Sequence, residues 1–159
     1  GLNVKVGRYH NVFGPEGTWD GGKEKAPAAI CRKVAKLPNV GGDVEVWGDG
    51  EQTRSFLFID EAIEATYRLM QSDWTGPVNI GSEEMVTINQ LVDIAARVAG
   101  KDVKKIHVDG PLGVRGRNSN NDLVREKLGW DYSQSLEEGI HKTYNWISSQ
   151  LTVDVQTIS

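Results

Sequence analysis

The sequence predicts a mixed α/β fold, and three observations predict it. Apolar residues alternate with polar ones over 3–9 and 103–108, the mark of half-buried strands, and Val78-Asn79-Ile80 is a short run bounded by turn residues. Between them, apolar residues recur at helical spacing over 27–36, 88–98 and 136–151. The pattern is lopsided, with too few strand–helix alternations to complete a doubly wound sheet. A chain of 159 residues fits one ordinary domain and is long enough to bury a real core.

Leu2, Val4 and Val6 carry the first alternation. The chain opens on Gly1 and enters this strand without a lead-in, as a chain joined in mid-domain would. A polar loop over 11–23 follows, with glycines at 14, 17, 21 and 22; loops of that length tend to be functional or unstructured. Ile30, Val34 and Leu37 then mark one face of a helix from Pro27 to about Lys36, and Pro suits a helix start because its missing N–H has no partner there anyway. Pro38 and Gly41-Gly42 end it. Val44, Val46 and Phe56, Phe58 alternate on two strands flanking Trp47-Gly48-Asp49-Gly50-Glu51, and the Asp-Gly pair predicts a hairpin. Asp60 is positioned to cap a helix with Ala62, Ile63, Tyr67 and Met70 on its inner side. Thr87 with Gln90 makes a capping box for a helix that carries Ile88, Leu91, Ile94, Ala95 and Val98 and stops at Gly100. Ser119 with Asp122 and Ser135 with Glu138 share that spacing. The second pair opens the last helix, with Leu136, Ile140, Tyr144, Ile147 and Leu151 inward, and residues 153–159 read as a frayed tail.

Composition narrows the function classes. A net charge of −4 shows no broad basic field, which argues against a nucleic-acid partner. No apolar run approaches the roughly 20 residues that span a bilayer, and no signal peptide is seen, so no membrane partner is expected. One cysteine, Cys31, and no N-x-S/T sequon fit a reducing, cytoplasmic compartment.

The chemistry gathers in residues 7–34, where a strand runs through the Gly-rich loop into a helix start. Free backbone N–H groups there favour anionic ligands, although a solvated connector has the same composition. A lysine serves as general acid or base only when its pKa falls from about 10.4 towards neutrality. Around Lys25, Lys23 and the helix N-terminus favour that fall, and an inward Glu24 would oppose it. Arg54, at the mouth of the expected hairpin, and Arg115 and Arg117, in a glycine-rich loop, have the planar fork that holds phosphate oxygens in two-point contact. Each is also an ordinary surface residue; together they favour one shared anion site. Gly110, Gly113 and Gly116 spell G-x-x-G-x-x-G, but no βαβ unit follows, so a dinucleotide fingerprint is rejected. His10, His107 and His141 are scattered, which leaves no metal site, and Cys31 falls in a helix as a buried, inert thiol. Tryptophans default to packing, except Trp19 in the polar loop, a candidate wall for a ligand.

Three segments in order, Arg8-Tyr9-His10-Asn11-Val12-Phe13-Gly14-Pro15, Arg54-Ser55-Phe56-Leu57-Phe58-Ile59-Asp60-Glu61 and Val78-Asn79-Ile80-Gly81, resemble the C-terminal half of an extended short-chain dehydrogenase/reductase acting on nucleotide sugars. Within that superfamily, Gly17-Thr18-Trp19, Glu24-Lys25-Ala26-Pro27, Trp47-Gly48-Asp49-Gly50, Gln52-Thr53-Arg54 and Val114-Arg115-Gly116-Arg117-Asn118-Ser119 most resemble the plant-type GDP-mannose 3,5-epimerases, up to about Gln150. The resemblance implies the C-terminal portion of a Rossmann-type fold with its small α/β substrate-binding domain. Residues 1–24 would be the last part of the NAD-binding domain and the substrate loop, and 25–152 the nucleotide-sugar-binding region. It implies NAD as cofactor, a GDP-sugar substrate, a homodimer as the full-length protein, and a GDP-L-galactose product that precedes plant ascorbate. Lys25 would be one member of the acid/base pair that inverts C3 and C5. Asn11, Glu24, Lys25, Ala26, Lys33, Gln52, Thr53, Arg54 and Arg117 would surround the substrate, with Lys33, Arg54 and Arg117 suited to the diphosphate. The family's Gly-rich NAD motif, its Tyr-x-x-x-Lys pair and its catalytic cysteine are absent from these residues, so the chain alone is expected to be inactive. Another NAD-dependent nucleotide-sugar epimerase, dehydratase or decarboxylase, or a non-catalytic binding module, are the alternative readings.

Overall fold

A computed structural model describes residues 1–110 and 115–156, with side chains up to residue 152. The strand expected over 3–9 is shorter: β1 covers Val6–Tyr9 and pairs in parallel with β6 (Pro77–Ile80), starting at Val6↔Pro77. Its partner begins only at Pro77, so Leu2 and Val4 have no ladder to join and stay exposed. The loop over 11–23 is also shorter than expected. Asn11 turns the chain with φ 45°, and β2 (Val12–Phe13) then pairs with β5 (Leu57–Phe58).

The first helix, α1 (Ala26–Lys36), places Pro27 in its opening turn and Lys33 and Lys36 in its last, where cations suit the carbonyl end. Lys101 completes that end by donating to the carbonyls of Val34, Ala35 and Leu37 at 3.0, 3.2 and 2.8 Å. β3 (Gly41–Trp47) follows. The expected hairpin does not form: β3 pairs in parallel with β8 (Asp102–Val108), and β4 (Thr53–Ser55) leaves for another sheet. Gly48 and Gly50 take positive φ but Asp49 does not, so the tight turn with both central residues left-handed is missing. Gly41 is required where β3 meets β8, since at φ 109° a Cβ would lie 1.8 Å from the Asp102 carbonyl oxygen.

β4 is the middle of a three-stranded sheet, antiparallel to β7 (Met85–Thr87) and parallel to β9 (Gly116–Arg117). α2 (Ile59–Gln71) starts one residue before Asp60, which lies in the first turn and is not the cap. Its inner side also differs from expectation. Ala62, Ala65 and Leu69 are buried, whereas Ile63, Tyr67 and Met70 are exposed, because the small residues pack closest against β5 and β6. α3 (Ile88–Ala99) has the expected capping box at Thr87 and Gln90 and the left-handed Gly100 at its end. α5 (Leu136–Gln156) begins with the reciprocal bonds of Ser135 and Glu138 and continues four residues into the stretch expected as a tail.

Two cores result. Ile30, Val34, Val44, Val46, Leu91, Ile140 and Ile147 join α1, α3 and α5 to β3, and Leu57, Leu69, Val78, Ile80, Val124 and Trp130 join α2 to β6 and α4 (Asp122–Leu128). Ser119 does not cap α4 as its spacing predicted. The N-cap is Asn121, and the Ser119 hydroxyl donates to the Asn121 carboxamide oxygen at 2.7 Å. Asn121 in turn donates from its amide to the Gly81 carbonyl and from its backbone to Glu83, whose carboxylate is paired with Arg125. This polar network ties the segment after β9 to the end of β6.

The network carries a pH dependence. Bonds from Arg125 and from the Asn121 N–H hold the Glu83 carboxyl below its ordinary range; burial alone would raise Asp131, but bonds from Arg125 and Asn121 hold it low as well. Folded-state values below the unfolded ones mean stability that is full above the ordinary carboxylate range and lost as pH falls from it through the depressed folded-state values. Arg125→Met is expected to lower the melting temperature at neutral pH, with the gap to the parent closing in acid. A gap that stays constant on acidification would show that the network has no such linkage.

Candidate functional site

A cavity of about 440 Å³ opens between the start of α1, the last residues of β3 and Ile88 at the start of α3. Its walls bring Glu24, Ala26 and Lys33 from α1 and its approach together with Gln52, which immediately precedes β4. Four residues from two distant stretches of sequence thus face one space. A wider groove of about 750 Å³ along α5, lined by the Arg97–Glu137 ion pair and His141, contains none of them.

Glu24 is not turned towards Lys25. Its carboxylate accepts from Arg32 at 2.6 Å and from the Gly22 N–H at 2.7 Å, and its own backbone N–H, with Arg32 and Gly22, holds it below the usual carboxylate range. Lys25 is the N-cap of α1. Its carbonyl accepts from the Ala29 N–H at 3.0 Å, and its exposed ammonium has no hydrogen-bond or ionic partner among the described residues. In sequence it stands between Glu24 and Ala26, which line the cavity, but Lys25 is not itself one of the lining residues.

Lys33 donates to the Glu45 carbonyl at 2.8 Å. Gln52 donates weakly to the Trp47 carbonyl at 3.4 Å, and its buried side-chain oxygen has no partner among the described residues. Past Gln52, β4 carries Thr53 and Arg54. Arg54 lies directly opposite Arg117 of β9. Like charges face to face across a ladder repel, and neither arginine has a carboxylate partner among the described residues. Arg115 approaches Asp49 at 3.8 Å, and residues 111–114 of the same loop lie outside the described residues. At the other end of β4, Asn11 donates to the Ser55 carbonyl at 2.9 Å, and its side-chain oxygen has no partner among the described residues. Of the nine expected substrate residues, Glu24, Ala26, Lys33 and Gln52 line the cavity, whereas Asn11, Lys25, Thr53, Arg54 and Arg117 do not.

Trp19 is not a wall of this cavity. Its ring meets Trp146 of α5 edge-on at 6.5 Å, and the two line a separate depression. The wall is instead Trp47, 56% exposed, together with Glu45. Sequence reading passed over both, yet the signal was present: inward Val44 and Val46 oblige Glu45 and Trp47 to face outward. Cys31 is fully buried, and burial pushes its thiol up to about 12, so it is chemically inert.

Among the described residues no cluster of His, Cys, Asp and Glu could hold a metal ion, and no helix is long and apolar enough to cross a membrane. Of the Gly110–Gly116 pattern, residues 111–114 lie outside the described residues.

Comparison with known proteins shows the family. Residues 1–81 match the model of the NAD dependent epimerase/dehydratase family. The chain is 50% identical over 151 residues to GDP-mannose 3,5-epimerase of Arabidopsis thaliana, covering 95% of this chain and 39% of that protein. It is 30% identical to UDP-glucuronic acid decarboxylase 6 of the same plant, over 88% of this chain and 39% of the relative. The crystal structure of UDP-glucose 4-epimerase with UDP-glucose from Thermotoga maritima superposes with a TM-score of 0.82 at 29% identity, over 92% of this chain and 46% of that one. The chain thus spans about two-fifths of the length of the curated relatives it matches. With more than half of its residues matched by the family model, the chain belongs to the NAD dependent epimerase/dehydratase family.

Proposed function

We propose that this chain is the sugar-nucleotide-binding portion of a GDP-mannose 3,5-epimerase. The observation that carries the reading is the convergence of Glu24, Ala26, Lys33 and Gln52 on one cavity, with Lys25 next in sequence to two of them. The 50% identity to the Arabidopsis enzyme supports the choice of substrate.

In this reading the residues divide the work. The cavity takes the nucleoside, Arg54 and Arg117 neutralise the diphosphate, and Asn11 uses its side-chain oxygen to accept from the substrate. Lys25 moves the proton at the inverted sugar carbons. When bound, NAD would take a hydride from C4, which acidifies those positions, and return it after inversion so that the reaction is redox-neutral; most of its site and a second acid/base would come from residues outside this chain. Residues 1–24 complete the NAD-binding domain, and 25–152 bind the nucleotide sugar.

Fusion to the NAD-binding half of the Arabidopsis relative tests the proposal. The fused protein is expected to convert GDP-mannose to GDP-L-galactose, followed by chromatography of the released sugars, whereas the 159-residue chain is expected to convert none. A folded, NAD-loaded fusion that epimerises UDP-glucose but leaves GDP-mannose untouched would assign the chain to another nucleotide-sugar enzyme.

A further inference from the structure

We propose that Arg32 is a positioning residue for Lys25: its guanidinium clips the loop over 19–24 to α1 and so sets the direction in which the lysine leaves the helix N-terminus. The proposal rests on the reading of Lys25 as the proton carrier and adds the group that aims it.

Lys25 has nothing of its own to aim it. Its side chain is exposed and makes no hydrogen bond or ion pair among the described residues, so its course is set by the backbone on either side. From the C-terminal side the helix holds it, through the bond from the Ala29 N–H to its carbonyl at 3.0 Å. From the N-terminal side the chain arrives through Gly21 and Gly22, with φ 91° and 85°. A Cβ at either would meet no atom within 4 Å beyond its chain neighbours. Two glycines in open space impose no direction of their own.

Arg32 supplies the missing constraint. It lies about two turns along α1 from Lys25 and spends its fork on both sides of the glycine pair. Before the pair, Nε donates to the Trp19 carbonyl at 3.0 Å and Nη1 lies 3.4 Å from the Asp20 carboxylate. After it, Nη2 donates to Glu24 at 2.6 Å. The acids in turn take the two glycine N–H groups, Asp20 from Gly21 and Glu24 from Gly22, each at 2.7 Å. The loop is thus closed on one guanidinium, and its last residue, Glu24, immediately precedes the lysine. The Arg32 and Glu24 side chains are only 19% and 7% exposed, so the pair is shielded from the solvent and salt that make surface ion pairs weak. Lys36 adds only a 3.8 Å ion pair to Asp20. The three acceptors meet different edges of a planar fork, which a point charge cannot span. The consequence is catalytic, since an acid or base displaced by about 1 Å can lose about 10²-fold in rate.

Solvent-deuterium exchange in the fusion to the NAD-binding half tests the assignment, with NAD content and GDP-mannose affinity read alongside. Arg32→Met is expected to slow exchange at the sugar carbons by about 10- to 100-fold, while affinity and NAD content change far less. In a Lys25→Met background the same substitution should cost nothing further, because a residue that acts only through the lysine has nothing left to aim. Arg32→Lys keeps a cation beside Glu24 and with it the fold; it should lose less than Arg32→Met and still fall short of the parent. Lys36→Met, which gives up only the long contact to Asp20, should match the parent. Parent-level exchange in Arg32→Met or in Arg32→Lys would overturn the assignment, as would an equal loss in Lys36→Met. A further loss in the Lys25→Met background, or a parallel loss of exchange, affinity and NAD, would overturn it too, by making Arg32 a residue of the fold alone. Full exchange in Lys25→Met itself would overturn the lysine's role, and with it the reason for the clip.

Discussion

Lys25→Met in the NAD-holding fusion is expected to slow incorporation of solvent deuterium at the sugar carbons by about 10²- to 10⁴-fold, the usual worth of a positioned acid or base. GDP-mannose affinity should change little. The split follows from the site. Methionine matches the length of the lysine stem and loses only the proton carrier, while the groups placed around the nucleotide are elsewhere: Lys33 and Gln52 in the cavity and Arg54 and Arg117 on the neighbouring sheet. The nearby carboxylate cannot take over. Glu24 is fixed by Arg32 at 2.6 Å and by the Gly22 N–H, and its carboxyl is held low, so it is a poor proton acceptor near neutrality. Glu24→Gln should accordingly loosen the loop before α1 without abolishing exchange. Undiminished deuterium incorporation in Lys25→Met would remove the lysine from the mechanism, and a parallel loss of exchange and affinity would make it a binding residue.

What the sequence revealed, and what it concealed, follows the range of the interactions involved. α1, α3 and the start of α5 were legible because their signals are local: a proline in the opening turn, and side chains three residues apart that satisfy each other's backbone groups at Thr87–Gln90 and Ser135–Glu138. The same spacing failed at Ser119, where the hydroxyl found a buried partner in Asn121 and left the helix end alone. Long-range pairing had no such marker. β4, β7 and β9 are two or three residues each, too short for alternation to register, and β4 pairs with residues 30 or more positions away. The Asp-Gly pair therefore read as a hairpin although β3 already had its partner in β8. α2 was misjudged because its larger apolar residues, Ile63, Tyr67 and Met70, lie outside the core while two alanines and Leu69 lie within. The site shows the same division. The residues at the start of α1 stand together in the sequence, but only the fold brings Gln52 into their cavity, and only the outward face of β3 adds Glu45 and Trp47.

The arginine pair gives the second large effect. Arg54→Ala and Arg117→Ala are each expected to weaken GDP binding by roughly 10-fold or more, as the loss of a charge-assisted bond worth about 1.5–3 kcal/mol requires. Guanosine, which has no phosphate, should be unaffected. Binding of GDP by the variants should also depend less on salt, since fewer charges meet across the contact. Stability should move the other way. The two arginines face each other in register with no acid between them, so removing one relieves a repulsion, and the unliganded variants should melt no lower than the parent. That opposition separates ligand binding from packing. Arginines that served the fold would lower the melting temperature on removal and spare GDP affinity. A pair held ready for an anion does the reverse, destabilising the free protein slightly and stabilising the complex. Unchanged GDP affinity in both single variants would show that the diphosphate lies elsewhere.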